Sequence, residues 1–127
     1  MAYRLVGKDF TPPDIAAKVT GAAKYVEDFR REGMVFARVV RSAMPHARVR
    51  SIDTTEAAKV PGFVGVLLPN EVPHFPEPEF PILTDFPRHI GAPILAIAAT
   101  DEWSAAEAAE KVKIVYEPRP FVVDPLD

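Results

Sequence analysis

A chain of 127 residues fits one domain of ordinary size with a real core. Its 48% hydrophobic and 26% charged residues are those of a soluble globular protein, and a net charge of −3 leaves no basic excess for nucleic acid. With no cysteine, disulfides, thiolate metal sites and cysteine-held iron–sulfur clusters are excluded within this chain. The longest apolar stretch, Ala92 to Ala99, is too short to span a bilayer, so no membrane role is expected. The opening "MAYRLVGKDF" lacks the apolar core of a signal peptide, and a cytoplasmic location is the default expectation.

In chain order, "GMVFARVVRS" (Gly33 to Ser42) is apolar on both alternating faces, with Val35, Ala37 and Val39 on one and Met34, Phe36 and Val40 on the other. That is the pattern of a strand buried on both sides. The next segment, "SIDTTEAAKVPG", predicts a short helix with Asp53 as N-cap, Glu56 at the capping-box position and Pro61-Gly62 as its stop. "FVGVLLP" (Phe63 to Pro69) predicts a second strand. Seven of the 14 prolines then fall within residues 69–93, which makes that stretch a loop or extended segment.

Beyond it, "PILAIAA" (Pro93 to Ala99) predicts a strand, with Thr100 or Asp101 capping the next helix. "EWSAAEAAEKV" repeats apolar residues at Ala105, Ala108, Ala109 and Val112, the spacing of one helical face. Asp101 and Glu102 at its start and Lys111 and Lys113 at its end suit the helix dipole. "KIVYE" (Lys113 to Glu117) predicts a last strand, closed by Pro118 and Pro120. Strand, helix, strand thus occurs twice, which predicts an α/β or α+β domain with a mixed sheet and two short helices.

No catalytic constellation emerges. His46, His74 and His89 lack metal-ligand spacing and read as surface or loop residues, with His46 in a structural role after Pro45. Ser42, Ser51 and Ser104 have no evident base, no glycine-rich phosphate loop is present, and the acidic run from His74 to Phe80 reads as a solvated loop. Arg38, Arg41, Arg48 and Arg50 form a basic cluster, read first as local ion pairs with Glu27, Asp28 or Asp53 and second as a docking contact. Trp103 is either the lid of a helix face or an interface anchor.

Taken together, "KVTGAAKYVEDF", the run from Gly33 through "VPGFVGVL" and the run from "RHIGAPILAIAA" to "VVDP" resemble the α/β-hammerhead domain that opens the molybdenum-binding large subunit of the xanthine dehydrogenase and aldehyde oxidase family. The resemblance covers residues 18–125. Its most specific pieces are Thr20-Gly21 with Tyr25 and Asp28, Arg41-Ser42, His46-Ala47-Arg48 leading to Ile52-Asp53, and Pro61-Gly62. Gly91, Pro93, Tyr116-Glu117-Pro118 and Val123-Asp124-Pro125 complete the set. One departure is Ala92, where the family often has glutamine.

The resemblance implies an N-terminal arm over residues 1–17 and a hammerhead domain over 18–127, with the proline-rich loop inside it. Gly21 would supply a special backbone shape or a close approach, and Tyr25 packing area with a polar end. The family hydroxylates aldehydes or aromatic heterocycles with water-derived oxygen on molybdenum, and electrons leave through iron–sulfur clusters. The residues that bind molybdopterin and carry the glutamate base lie beyond the hammerhead, and the iron–sulfur and FAD modules lie elsewhere. The resemblance therefore implies no catalytic, cofactor-binding or metal residue here. It implies a scaffold domain or small subunit that packs on the molybdopterin-binding domain and contacts the iron–sulfur subunit. The alternative is a freestanding interaction or assembly module with the same fold.

Overall fold

The structure is a computed structural model that describes residues 4–73, 81–122 and 124. The expectations for His74 to Phe80, Val123 and Pro125 lie outside the described residues. The chain divides into two compact units, Met1–Met34 and Val35–Asp127.

The first unit holds a short helix, α1 (Ile15–Val19), and a 3-10 turn at Val26–Asp28. None of its described residues is buried. The sequence shows no apolar periodicity there, and α1 has only five residues, none of them buried; Thr20 caps its C-terminal end, its amide donating to the Ala16 carbonyl at 3.1 Å.

The second unit contains β1 (Phe36–Arg41), β2 (Ala47–Asp53), β3 (Phe63–Leu67), β4 (Pro93–Ala99), α2 (Glu102–Glu110) and β5 (Lys113–Pro118). Strands β1, β4 and β3 form one sheet in that order, and β2 pairs with β5 in a second. All three ladders are antiparallel. The α+β class stands, but the strands pair in two antiparallel sheets and not as one mixed sheet. The reason is topological: β4 and β5 flank α2 yet belong to different sheets, so their connection is not a parallel crossover.

Strand β4 is central because its sequence is apolar throughout. Ile94, Leu95 and Ile97 are fully buried, each contributing roughly 1.5–3 kcal/mol by leaving water. They form the core with Ala57, Val60 and Ala108. Val49 and Ile52 from β2 and Ile114 and Tyr116 from β5 close over the same cluster. Helix α2 buries Ala105 and Ala108, and its small residues let it lie close to the sheet. Asp101 is its N-cap, accepting from the Ser104 amide at 2.8 Å.

Two further expectations change. The helix expected after Asp53 is a single 3-10 turn, Ala57–Lys59. Asp53 ends β2 and accepts from the Thr55 amide at 2.9 Å, and Glu56 pairs with Lys59, not with a cap. Pro61 keeps the residue before it out of the helical region, and Val60 is extended with ψ 130°, so the turn stops at Lys59. The strand read as buried on both sides is buried on neither: Phe36 and Val40 are half-buried, and Ala37, Arg38, Val39 and Arg41 are exposed. As an edge strand with a helix on one side only, β1 has nothing over its second face among the described residues of the second unit.

Candidate functional site

The resemblance residues of the second unit meet where β1 ends. The Ser42 amide donates to the Ala92 carbonyl at 2.8 Å, and the Gly91 amide donates to the Ser42 carbonyl at 2.8 Å. Arg41 Nη1 adds a bond to the Gly91 carbonyl at 3.0 Å, and Arg41 stands opposite Pro93 in the ladder. The Ser42 hydroxyl accepts from the Met44 amide at 3.0 Å and donates to the Met44 carbonyl at 2.9 Å. Ser42 is buried, and these bonds satisfy its polar atoms. Pro93 itself passes the connection on, its carbonyl accepting from the Thr84 amide at 2.9 Å.

Beside this seam, His46 Nδ1 lies 2.6 Å from the Pro120 carbonyl, which can only accept, so Nδ1 carries the proton. The Arg119 amide donates back to the His46 carbonyl at 2.9 Å, and the His46 ring meets Phe86 edge-on at 5.1 Å. The outer edge of β2 is also paired: Ala47 and Val49 amides donate to the Pro87 and Asp85 carbonyls.

In the first unit, Thr20 and Gly21 end α1. The Thr20 hydroxyl donates to the Ala16 carbonyl at 2.6 Å, and Gly21 takes φ +72°, a left-handed value that a side chain would strain. The Asp28 carboxylate accepts from the Tyr25 amide at 2.8 Å, while the Asp28 amide donates to the Tyr25 carbonyl at 3.0 Å. The Tyr25 ring is largely exposed.

The arginines do not act together. Arg48 is exposed opposite Glu117, and Arg38 is exposed on β1. Arg50, the bulged residue of β2, pairs with Glu117, which also takes Arg119 at 3.0 Å. None of the three acids expected from local sequence is the partner of Arg50. The short alternation of Ala47 and Val49 with Arg48 and Arg50, broken after Arg50, is the one signal of β2 that the sequence carries. Trp103 is 86% exposed and so is no lid over a helix face.

Nothing in this arrangement resembles an acid–base or nucleophilic pair. Among the described residues no group of three or more histidines, aspartates and glutamates could hold a metal ion, and the chain has no cysteine. Among the described residues no helix is long and apolar enough to cross a membrane.

Comparison with known proteins gives the arrangement a context. A sequence model for the family described as "Aldehyde oxidase and xanthine dehydrogenase, a/b hammerhead domain" matches residues 20–120. The chain is 37% identical to a probable xanthine dehydrogenase subunit of Bacillus subtilis over 83% of its own length and 15% of that protein's. It is 31% identical to the xanthine dehydrogenase molybdenum-binding subunit of Escherichia coli O157:H7, over 88% of this chain and 17% of that one. Among solved structures, CO dehydrogenase from Oligotropha carboxidovorans superposes with a TM-score of 0.85 at 30% identity, over 94% of this chain and 16% of the other. The chain thus spans about a sixth of the length of these relatives.

Proposed function

Because the chain belongs to the hammerhead-domain family of the aldehyde oxidases and xanthine dehydrogenases, we propose that it is a non-catalytic scaffold of a molybdenum-dependent hydroxylase. In this reading it packs on the molybdopterin-binding domain or subunit, and an iron–sulfur subunit and, where there is one, an FAD module complete the enzyme. The substrate class is an aldehyde or an aromatic heterocycle, hydroxylated by residues outside this chain.

The observation that carries the reading is what the resemblance residues do. Ser42, Gly91, His46, Thr20 and Asp28 each hold main chain, and none faces a second reactive group. Side chains that hold main chain and meet no reactive partner suit a scaffold. Affinity purification of the protein from its own source, with mass spectrometry and metal analysis, tests this. Molybdenum should travel with it, on the same polypeptide or on a larger partner. A protein that elutes alone and metal-free would leave an assembly or interaction module.

A further inference from the structure

The three-stranded sheet has two faces, and the registers sort its residues between them. Directly opposed residues of an antiparallel pair share a face. One face carries the rows Phe36–Ala99–Phe63 and Arg38–Ile97–Val66 together with Val40 and Leu95. Ile97, Ala99 and Leu95 are fully buried on it, and Ala108 of α2 joins the same core. The other face carries the rows Ala37–Ala98–Gly65 and Val39–Ala96–Leu67.

Among the described residues of the second unit, nothing covers this second face. Val39 is 38% and Leu67 43% exposed, Ala37 is exposed, and Ala96 and Ala98 are only half-buried. An antiparallel sheet that faces water alternates apolar with polar residues. Here none of the six positions is polar or charged, which is the pattern of a covered face. Its relief is also suited to a neighbour: small residues run along β4 at the centre, with Val39 and Leu67 standing on either side. That leaves a shallow apolar trough for an element laid against the sheet.

We propose that this open face is the seat of an apolar element of the molybdenum-binding polypeptide, an inference that rests on the family reading above. Two points identify the occupant. The relatives carry about five-sixths of their length outside the matched segment, so there is a large body of protein for this domain to pack on. These two rows offer no charge, and Arg41, opposite Pro93, ends the face at one edge; an occupant of the rows must itself be apolar there, as the buried centre of a permanent interface is.

The test is site-specific photo-crosslinking in the protein as its source makes it. A benzoylphenylalanine is placed at Val39 or at Leu67, with Val115 of β5, exposed on the other sheet, as the control. Mass spectrometry locates the crosslinks, and molybdenum per chain is measured in each preparation. Positions 39 and 67 should crosslink to sequence outside residues 1–127 on the polypeptide that carries molybdenum, and position 115 should not. Leu67→Asp, which alters a side chain already in contact with water, should lower co-purified molybdenum at least tenfold.

If molybdenum co-purifies but positions 39 and 67 give no crosslinks, or crosslink only to a second copy of residues 1–127, this inference fails and the family reading survives. If no preparation carries molybdenum, both fall.

Discussion

The Thr100 amide donates to the Gly62 carbonyl at 2.8 Å, tying the turn before β3 to the start of α2. Gly62 takes φ +85°, and a Cβ there would lie 2.5 Å from Thr100 Oγ1 and 3.0 Å from Ser104 Oγ. Gly62→Ala should therefore destabilise the chain by about 2–4 kcal/mol, strain and overpacking acting together. Urea unfolding of the single variants and of Gly62→Ala with Thr100→Ala separates the two causes. The double variant should recover part of the loss, since the closest clash is gone and only the backbone strain and the Ser104 contact remain. Strictly additive losses would refute the steric half of the argument.

Ser42 offers a second test. Its hydroxyl makes both bonds to Met44 inside a buried turn, whereas the links to Gly91 and Ala92 use the main chain alone. Ser42→Ala should cost about 1–3 kcal/mol, because the Met44 amide and carbonyl lose their partner, and yet leave the seam assembled. Hydrogen exchange at the Gly91 amide should remain slow relative to the loops in the folded variant. Loss of that protection alone, with global stability unchanged, would place the role of Ser42 elsewhere.

Much of the second unit was legible because most of its elements announce themselves twice. Strand β4 has a continuous apolar run and proline at its start; α2 has apolar periodicity and a capping aspartate; β5 is apolar between charged and proline boundaries. Strand β2 was missed because its alternation is broken by the extra residue between Val49 and Ser51 and its outward positions are arginines. The partner of Arg50 was equally hidden, since Glu117 reaches it only through the pairing of β2 with β5. For β1 the apolar pattern is that of the covered state, and a strand cannot state whether its own chain or another surface supplies the cover. The resemblance residues were legible as a set, but not their work: that Ser42 meets Gly91 follows from the register of β1 on β4.

Glu117 bridges Arg50 and Arg119 while less than a third of its side chain is exposed. Both arginines remain in water enough for screening to matter, so the pair is expected to be worth little. A double-mutant cycle of Arg50→Ala and Glu117→Ala should give a coupling of about 0.2–1 kcal/mol in dilute buffer, shrinking in 0.5 M salt (roughly a 4 Å Debye length). A salt-independent coupling would mean that packing, not charge, links them.

Acid should weaken the cap of α2. The Asp101 carboxylate accepts from the Ser104 amide at 2.8 Å and from the Ser104 hydroxyl at 2.7 Å, and these bonds hold its pKa below the ordinary aspartate value. The folded protein thus binds this proton less readily than the unfolded chain does. The stabilisation is complete above the ordinary carboxylate range, about pH 4, and is lost as pH falls from there through the lowered folded value. Asp53, lowered by its hydrogen bonds from Thr55, adds to the slope in the same direction. Asp101→Asn keeps an oxygen for the Ser104 amide but cannot titrate, so its melting temperature should fall less steeply than the wild type's between pH 5 and about 3. Asp101→Ala removes the cap and should melt roughly 3–6 °C lower at pH 7, the gap to wild type closing in acid. Thermal melts of the three proteins across that range decide it: an Asn curve parallel to the wild type's would show that the cap does not couple to the proton.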